Sequence, residues 1–357
     1  MQLLFLTHIS EDPANGVWKK ISAQVNSLRA MGYQVDFTYL GVGGQLVIET
    51  GSSRAEFPLF HRYLCFYKLS RLLHSRYDKV YIRKPHGGLY SLAFAKLVTI
   101  LRQRGAETIF MEIPTWPFRN EVMTFRDKVS DFLFENQMKK VAKKIDTLLC
   151  IGSDVKTLYQ RPVKNIINGI ALDPAMYIKP QKKENNKIML LAIANLSYWH
   201  GYDRLIKGIL AYQGSTEVTL TIIGDTEPEW GRLKKIAANS PRIIFTGSKN
   251  SQQIQSLIQG NVIAVDSLGR HRSGNNFNSS IKSKEYTLMG LPFLMSHHDS
   301  AFEANLPFIY HCPADESPID IQGVINWYQG LPEDLSLIEH DYAVKHFSWQ
   351  GILSAVL

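Results

Sequence analysis

At 357 residues, with 45% hydrophobic and 20% charged side chains, the composition is that of a folded globular protein of about two domains, and it excludes general disorder. The longest apolar run, 89–101, falls short of the ~18–20 residues a membrane span needs and carries Lys96. Cys65, Cys150 and Cys312 are too scattered for a disulfide framework or a metal cluster, which points to a reducing cytoplasm.

The net charge of +8 is concentrated in the first half, where residues 1–170 hold 24 Lys and Arg against 14 Asp and Glu. Within it, 62–104 carries ten basic residues and one acid, Asp78, interleaved with Tyr63, Phe66, Tyr67 and Tyr77. Such a face attracts nucleic acid, anionic lipid headgroups or phosphorylated substrates; the bland alternative is a solvated surface rich in Lys and Arg.

The first nine residues, MQLLFLTHI, read as a buried strand rather than a targeting leader. An amphipathic helix is predicted over 16–31, with Val17, Ile21, Val25 and Leu28 at helical spacing, then a strand over 35–40. Further strands are predicted at 79–83, 108–113 and 147–152, with helices near 87–103 and 122–144. Residues 171–187, with two prolines, a charge run and no period, suit a linker. The same alternation restarts with strands at 188–194, 218–224, 242–247, 261–267 and 291–296 and helices at 202–213, 228–239 and 250–258. Repeated β-α units predict α/β architecture, two doubly wound parallel sheets that bind ligands at the carboxyl ends of their strands, across a cleft. The expected boundaries are 1–175, 176–340 and a terminal helix, 341–357, that packs back on the N-terminal domain. GVGG at 41–44 is not followed by a predicted helix, so the dinucleotide fingerprint is absent.

Chemistry-bearing residues concentrate in the second half. NLSYWHGYDRLIK (195–207) reads as strand end, polar turn and helix start, an arrangement that aims backbone N–H groups at an anion, with His200 able to add a hydrogen bond. In RHRSGNNFNSSIKSKEY (270–286), Ser279 or Ser280 can cap a helix running to Met289. Lys282 then lies in the first turn, unfavourably for the helix dipole unless an anion binds there. Glu285, three residues on, can accept two hydrogen bonds from a ribose diol; a surface ion pair with Lys282 is the plain alternative.

These stretches, together with LTIIGDTEPE (220–229), IFTGS (244–248) and the Lys-x-x-Glu-Tyr…Gly-x-Pro pattern of 282–292, resemble the nucleotide-sugar-binding half of retaining glycosyltransferases of the GT-B fold and GT4 type. INGI (167–170) resembles the turn before the interdomain linker, and EIPTWP (112–117) an acceptor-facing loop of a bacterial polysaccharide-forming branch. The resemblance implies two Rossmann-like domains, a UDP-sugar or related donor, and a glycan or lipid-linked glycan acceptor. It also implies transfer with retention and no cofactor; no Asp-x-Asp occurs, which agrees with a site that needs no metal. Asn195, Ser197, His200, Gly201, Ser280, Lys282 and Glu285 then fall on the donor, with Gly16 approaching its phosphate. Phe277 stands where the family has a second glutamate, and Leu196 and His200 where it has the Arg and Lys that hold the diphosphate. Lys282, Arg272 or Lys249 is expected to supply that charge.

Acceptor contacts are expected from Asn15, Arg83, Glu112, Thr115 and Trp116, with Phe118 as a second stacking ring; local packing of the rings is the alternative. Glu112, at a strand's carboxyl end, is the candidate for orienting or activating the acceptor hydroxyl, and Lys282 and Glu285 complete the expected catalytic set. The expected setting is the cytoplasm, with docking on the inner membrane leaflet through the basic stretch. A non-catalytic partner of an active transferase is the alternative. A sugar-nucleotide epimerase would need more carboxylates and histidines, and nucleic-acid binding lacks a reader motif.

Overall fold

A computed structural model of the chain describes residues 1–13, 15–86, 89–116, 125–179 and 186–357. The chain forms two compact units: Met1–Ala171 joined by Trp349–Leu357, and Leu172–Ser348. Each is a sheet covered by helices, because strands apolar on both faces must be buried on both.

In the first unit, β1 (Gln2–Ser10) buries six consecutive residues, Leu3 to His8. Helix α1 (Gly16–Ala30) follows, capped by Asn15 and burying Trp18, Ile21, Val25 and Leu28. β2 (Gln34–Leu40) lies parallel to β1. The chain then turns through Gly41–Gly44 into an antiparallel hairpin, β3 (Leu46–Thr50) and β4 (Ser53–Phe57), which sequence periodicity did not reveal. Next come α2 (Cys65–Leu72), β5 (Lys79–Arg83), α3 (Leu89–Gln103), β6 (Thr108–Ile113), α4 (Phe125–Val141) and β7 (Thr147–Ile151). The unit's last strands are β8 (Thr157–Leu158) and β9 (Arg161–Ile166). Among the described residues its nine strands are ordered β4-β3-β2-β1-β5-β6-β7-β9-β8. The five central pairings, from β2 through β1, β5, β6 and β7 to β9, are parallel, and only the hairpins at the two edges run antiparallel.

The second unit runs β10 (Lys187–Ile193), α5 (Tyr202–Ala211), β11 (Glu217–Ile223), α6 (Glu229–Ala237), β12 (Ile243–Gly247), α7 (Ser251–Leu257) and β13 (Val262–Val265). It continues with α8 (Ile281–Met289), β14 (Phe293–Met295), β15 (Ile309–His311), α9 (Ile321–Gln329) and α10 (Leu335–His346). Among the described residues its six strands, ordered β12-β11-β10-β13-β14-β15, are all parallel.

The terminal segment differs from the single helix predicted. It is two helices, α10 and α11 (Trp349–Ser354), interrupted at Phe347 and Ser348. The interruption serves packing: α10 lies against α8 in the second unit, whereas Trp349 and Leu353 of α11 are buried with Trp18, Ile21 and Val25 in the first. Among the described residues no helix is long and apolar enough to cross a membrane.

Candidate functional site

In the second unit, the loops that leave the carboxyl ends of β10 and β13 are locked together. The turn Tyr198–His200 ends at Gly201, whose φ of 66° is left-handed. A Cβ on Gly201 would lie 2.6 Å from the Gly269 nitrogen, so the backbones meet where no side chain fits. The Leu268 N–H donates to the His200 carbonyl at 2.8 Å. His200 Nδ1 accepts from the Ser197 N–H at 3.0 Å, which leaves the proton on Nε2. Burial and the nearby Lys282 charge lower the His200 pKa well below its ordinary value, so the ring is neutral, with Nε2–H as its donor group.

Asp266, directly after β13, organises the facing helix. Its carboxylate is fully buried and accepts from the Ser267 N–H at 2.8 Å and the Ser280 hydroxyl at 3.1 Å. Lys282 Nζ lies 3.2 Å from the same oxygen and 3.4 Å from the Tyr202 hydroxyl, with its side chain still 21% exposed. Burial alone would raise the Asp266 pKa, but the Lys282 charge and the hydrogen bonds from Ser280 and Lys282 outweigh it and hold the group ionised. Asp299 fastens the same helix start: it accepts from the Ser280 N–H at 3.2 Å and pairs with the buried Lys284. The Ser280 side chain is thereby drawn to Asp266, and no side chain caps α8.

The sequence-predicted residues divide. Ser197, His200, Gly201, Ser280 and Lys282 sit on these two loops and the helix they support, and Glu285 lies half-buried on α8 beyond Lys282. Asn195 is exposed at the end of β10, and Lys249 half-buried after β12. Arg272 does not supply free charge, contrary to expectation. Its Nε donates to Glu316, Nη1 to Asp203 and the Tyr198 carbonyl, and Nη2 to Asp203 and Glu316, all within 3.0 Å. All five N–H groups are spent, and the side chain is 3% exposed. It is a clamp between loops. Arg270, two residues earlier, is the cation whose charge acts on both His200 and His297. Sequence reading missed it because both arginines occupy one polar loop, and only the tight turn Arg270–Ser273 separates their directions. Asp266 was also missed, although an acid immediately after four buried apolar strand residues signals a carboxylate with a partner. Phe277 is exposed and packs edge-on to His298 at 5.1 Å.

In the first unit, Asn15 accepts from the Val17 N–H at 2.8 Å and so caps α1. A Cβ on Gly16 would meet no described atom within 4 Å, so packing does not require glycine there. Glu112 is fully buried and receives Lys20 at 2.9 Å, Gln24 at 2.6 Å, the Tyr81 hydroxyl at 2.7 Å and Arg83 at 2.9 Å. Burial opposes its charge, yet Lys20 and Arg83 bring its pKa down to about 2. A carboxylate so engaged is a poor proton acceptor, which corrects the expectation that Glu112 activates a hydroxyl: it anchors Lys20 and Arg83. Thr115 is half-buried, and Trp116 packs against the core of the unit. Phe118 lies outside the described residues. Among those residues, no group of three His, Cys, Asp or Glu side chains could hold a metal ion.

No family model matches the chain, and no curated protein matches it by sequence. Solved structures do match. A glycosyltransferase from Rickettsia africae aligns over 99% of this chain and 96% of its own, at 14% identity and a TM-score of 0.64. The catalytic domain of starch synthase IV from Arabidopsis thaliana, bound to ADP and acarbose, aligns over 99% and 97%, at 10% identity and a TM-score of 0.68. A lipopolysaccharide outer core galactosyltransferase aligns over 99% and 98%, at 15% identity and a TM-score of 0.59. At such identities the likeness is one of architecture, and the chain has the fold of these enzymes, GT-B, with two Rossmann-like parallel-sheet units in sequence.

Proposed function

We propose that the protein is a glycosyltransferase that takes a sugar from a nucleotide-diphosphate donor, a UDP-sugar being the first candidate. The acceptor in this reading is a glycan or lipid-linked glycan of a bacterial surface polysaccharide, and the anomeric configuration is retained. The observation that carries it is the start of α8. No side chain caps that helix, and its first turn holds a lysine rather than an acid. Free N–H groups and a fixed cation in one place suit a diphosphate, and both stabilise the negative charge that builds on it as the sugar departs. His200 Nε2–H adds a neutral donor, and Glu285 takes the ribose. Fixed protein charge replaces a metal in this scheme, and a diphosphate oxygen accepts the hydroxyl proton, since Glu112 is committed to Lys20 and Arg83.

Peripheral membrane docking belongs to the same reading, and α4 supports it. Phe125, Val129, Phe132 and Leu133 are 82%, 45%, 64% and 36% exposed at helical spacing, while Phe134 and Met138 of the same helix are buried. Exposed Lys128, Lys139 and Lys140 accompany that apolar face, a combination that suits an anionic bilayer surface.

The commitment of Arg272 to Asp203 and Glu316, together with Phe277, favours a second reading, a non-catalytic partner of an active transferase. Incubation with UDP-, GDP- and ADP-sugars decides between them. Release of one nucleotide, with an α- or β-configured product that matches the donor, is the expected result. Nucleotide binding without any hydrolysis or transfer favours the partner.

A further inference from the structure

His8 lies two residues before the carboxyl end of β1 and is 3% exposed. Its Nε2 accepts from the His86 N–H at 3.2 Å, so the ring proton resides on Nδ1. That N–H is buried and has no hydrogen-bond partner among the described residues. A buried donor is ordinarily satisfied, so an unsatisfied one marks a place where an acceptor belongs. The ring meets His86 edge-on at 4.5 Å and Tyr90 at 4.7 Å. The charged groups acting on it, Arg83, Lys84 and Arg62, are all cationic, and burial with the same charges lowers the His86 pKa as well. Burial, first, and then these charges keep His8 neutral.

The nearest carboxylates are spent elsewhere. Glu112 is shared between Lys20 and Arg83, one negative charge against two positive. Among the described residues, Arg83 uses only Nη1 for that bond. Asp131 and Glu135 act on Lys84, whose ammonium lies 4.3 Å from the Phe134 ring centre. With Arg62 added to these pairs, the charges acting on the ring meet a buried, neutral N–H without a described partner, which is the chemistry of oxyanion recognition.

We propose that His8, Arg83 and Lys84 form a subsite for an oxyanion carried by the acceptor, a phosphate or diphosphate group or else a sugar carboxylate. The assignment to the acceptor rests on the transferase reading; the subsite itself does not. His8 Nδ1–H donates to one anionic oxygen, and Arg83 and Lys84 balance the charge. A hydroxyl of an uncharged glycan would accept the same N–H without answering the cationic charge of Arg83, Lys84 and Arg62.

The test uses the full chain with ¹⁵N-labelled histidine. The His8 ring signal, one of eleven, is identified by its loss in His8→Asn. Inorganic phosphate and pyrophosphate form one arm of the titration, acetate and glucuronate the other. The expected result is a saturable shift of the His8 Nδ1–H signal in one arm, which names the anion class. His8→Phe and Lys84→Met should weaken that binding at least tenfold, while His8→Asn, which keeps a donor near Nδ1, should weaken it less than threefold. An unmoved His8 signal in both arms overturns the proposal. So does equal binding by variants that melt like the wild type. UDP titrated into the same sample separates the two readings: an anion response without nucleotide binding overturns the donor assignment and leaves the subsite standing.

Discussion

Lys282 and Arg272 look interchangeable as residues, yet their surroundings give them opposite roles. Arg272 has no N–H left to offer a ligand, so Arg272→Ala should act on folding. It leaves Asp203 with Arg232 as its remaining cation and should cost about 1–3 kcal/mol in urea unfolding, for the charge-assisted hydrogen bonds that are lost. Nucleotide affinity measured well below the melting point should change less than threefold. Lys282 is partly open to solvent but also neutralises the buried Asp266, so Lys282→Ala should lower both stability and affinity. Glu285→Ala should lower affinity, read against the variant's own melting curve without ligand. The Glu112 cluster gives a pH signature. Its folded-state pKa of about 2 lies below the ordinary 4.5. Its stabilisation is therefore complete above pH 4.5 and is lost as pH falls toward 2. Glu112→Gln should destabilise by roughly 3 kcal/mol at pH 7, because Lys20 and Arg83 lose their shared counter-charge. Its unfolding free energy should also fall less steeply than that of wild type between pH 4.5 and 2.

At the scale of elements, two glycines separate structural from ligand-facing backbone. Gly201→Ala puts a methyl group against Gly269 and holds alanine at positive φ, so a loss of ~1–3 kcal/mol is expected in chemical denaturation. Gly16→Ala meets nothing; its stability should move by no more than about 1 kcal/mol. If the backbone there approaches substrate, KM should rise several-fold while the melting curve stays in place. Elements with strong periods were legible in the sequence: β1, α1, β5, β6, β7 and the strands β10 to β13. The edge hairpins were not. Ser53 to Glu56 of β4 are all exposed, so no apolar alternation marks that strand, and β8 has only two residues. The break before Trp349 was hidden for another reason: Val344, Phe347 and Ile352 suit a continuous helix locally, and the core that receives Trp349 is assembled from residues 3–166. The loops that carry the candidate residues were legible as breaks between periodic segments. The partners that decide what each side chain can do, such as Asp266 for Lys282 and Glu316 for Arg272, lie 16 and 44 residues away and follow only from the fold.

For the molecule as a whole, charge and exposed apolar surface give an expectation independent of the donor. The +8 net charge and the open face of α4 should produce sedimentation with anionic vesicles that weakens steeply with salt. Phe132→Ser with Val129→Ser should reduce it at constant charge, and salt-independent binding would remove the electrostatic part of the account. The central claim, that the second unit binds a nucleotide diphosphate at the start of α8, is tested most directly by thermal-shift titration with UDP, GDP, ADP, CMP and dTDP on wild type and Glu285→Ala. A ligand at a hundred times its Kd stabilises by about 2.7 kcal/mol. The account requires one nucleotide to raise the wild-type Tm saturably and the variant, read against its own Tm without ligand, to lose most of that rise. No shift with any nucleotide, or an equal shift in both proteins, would contradict it.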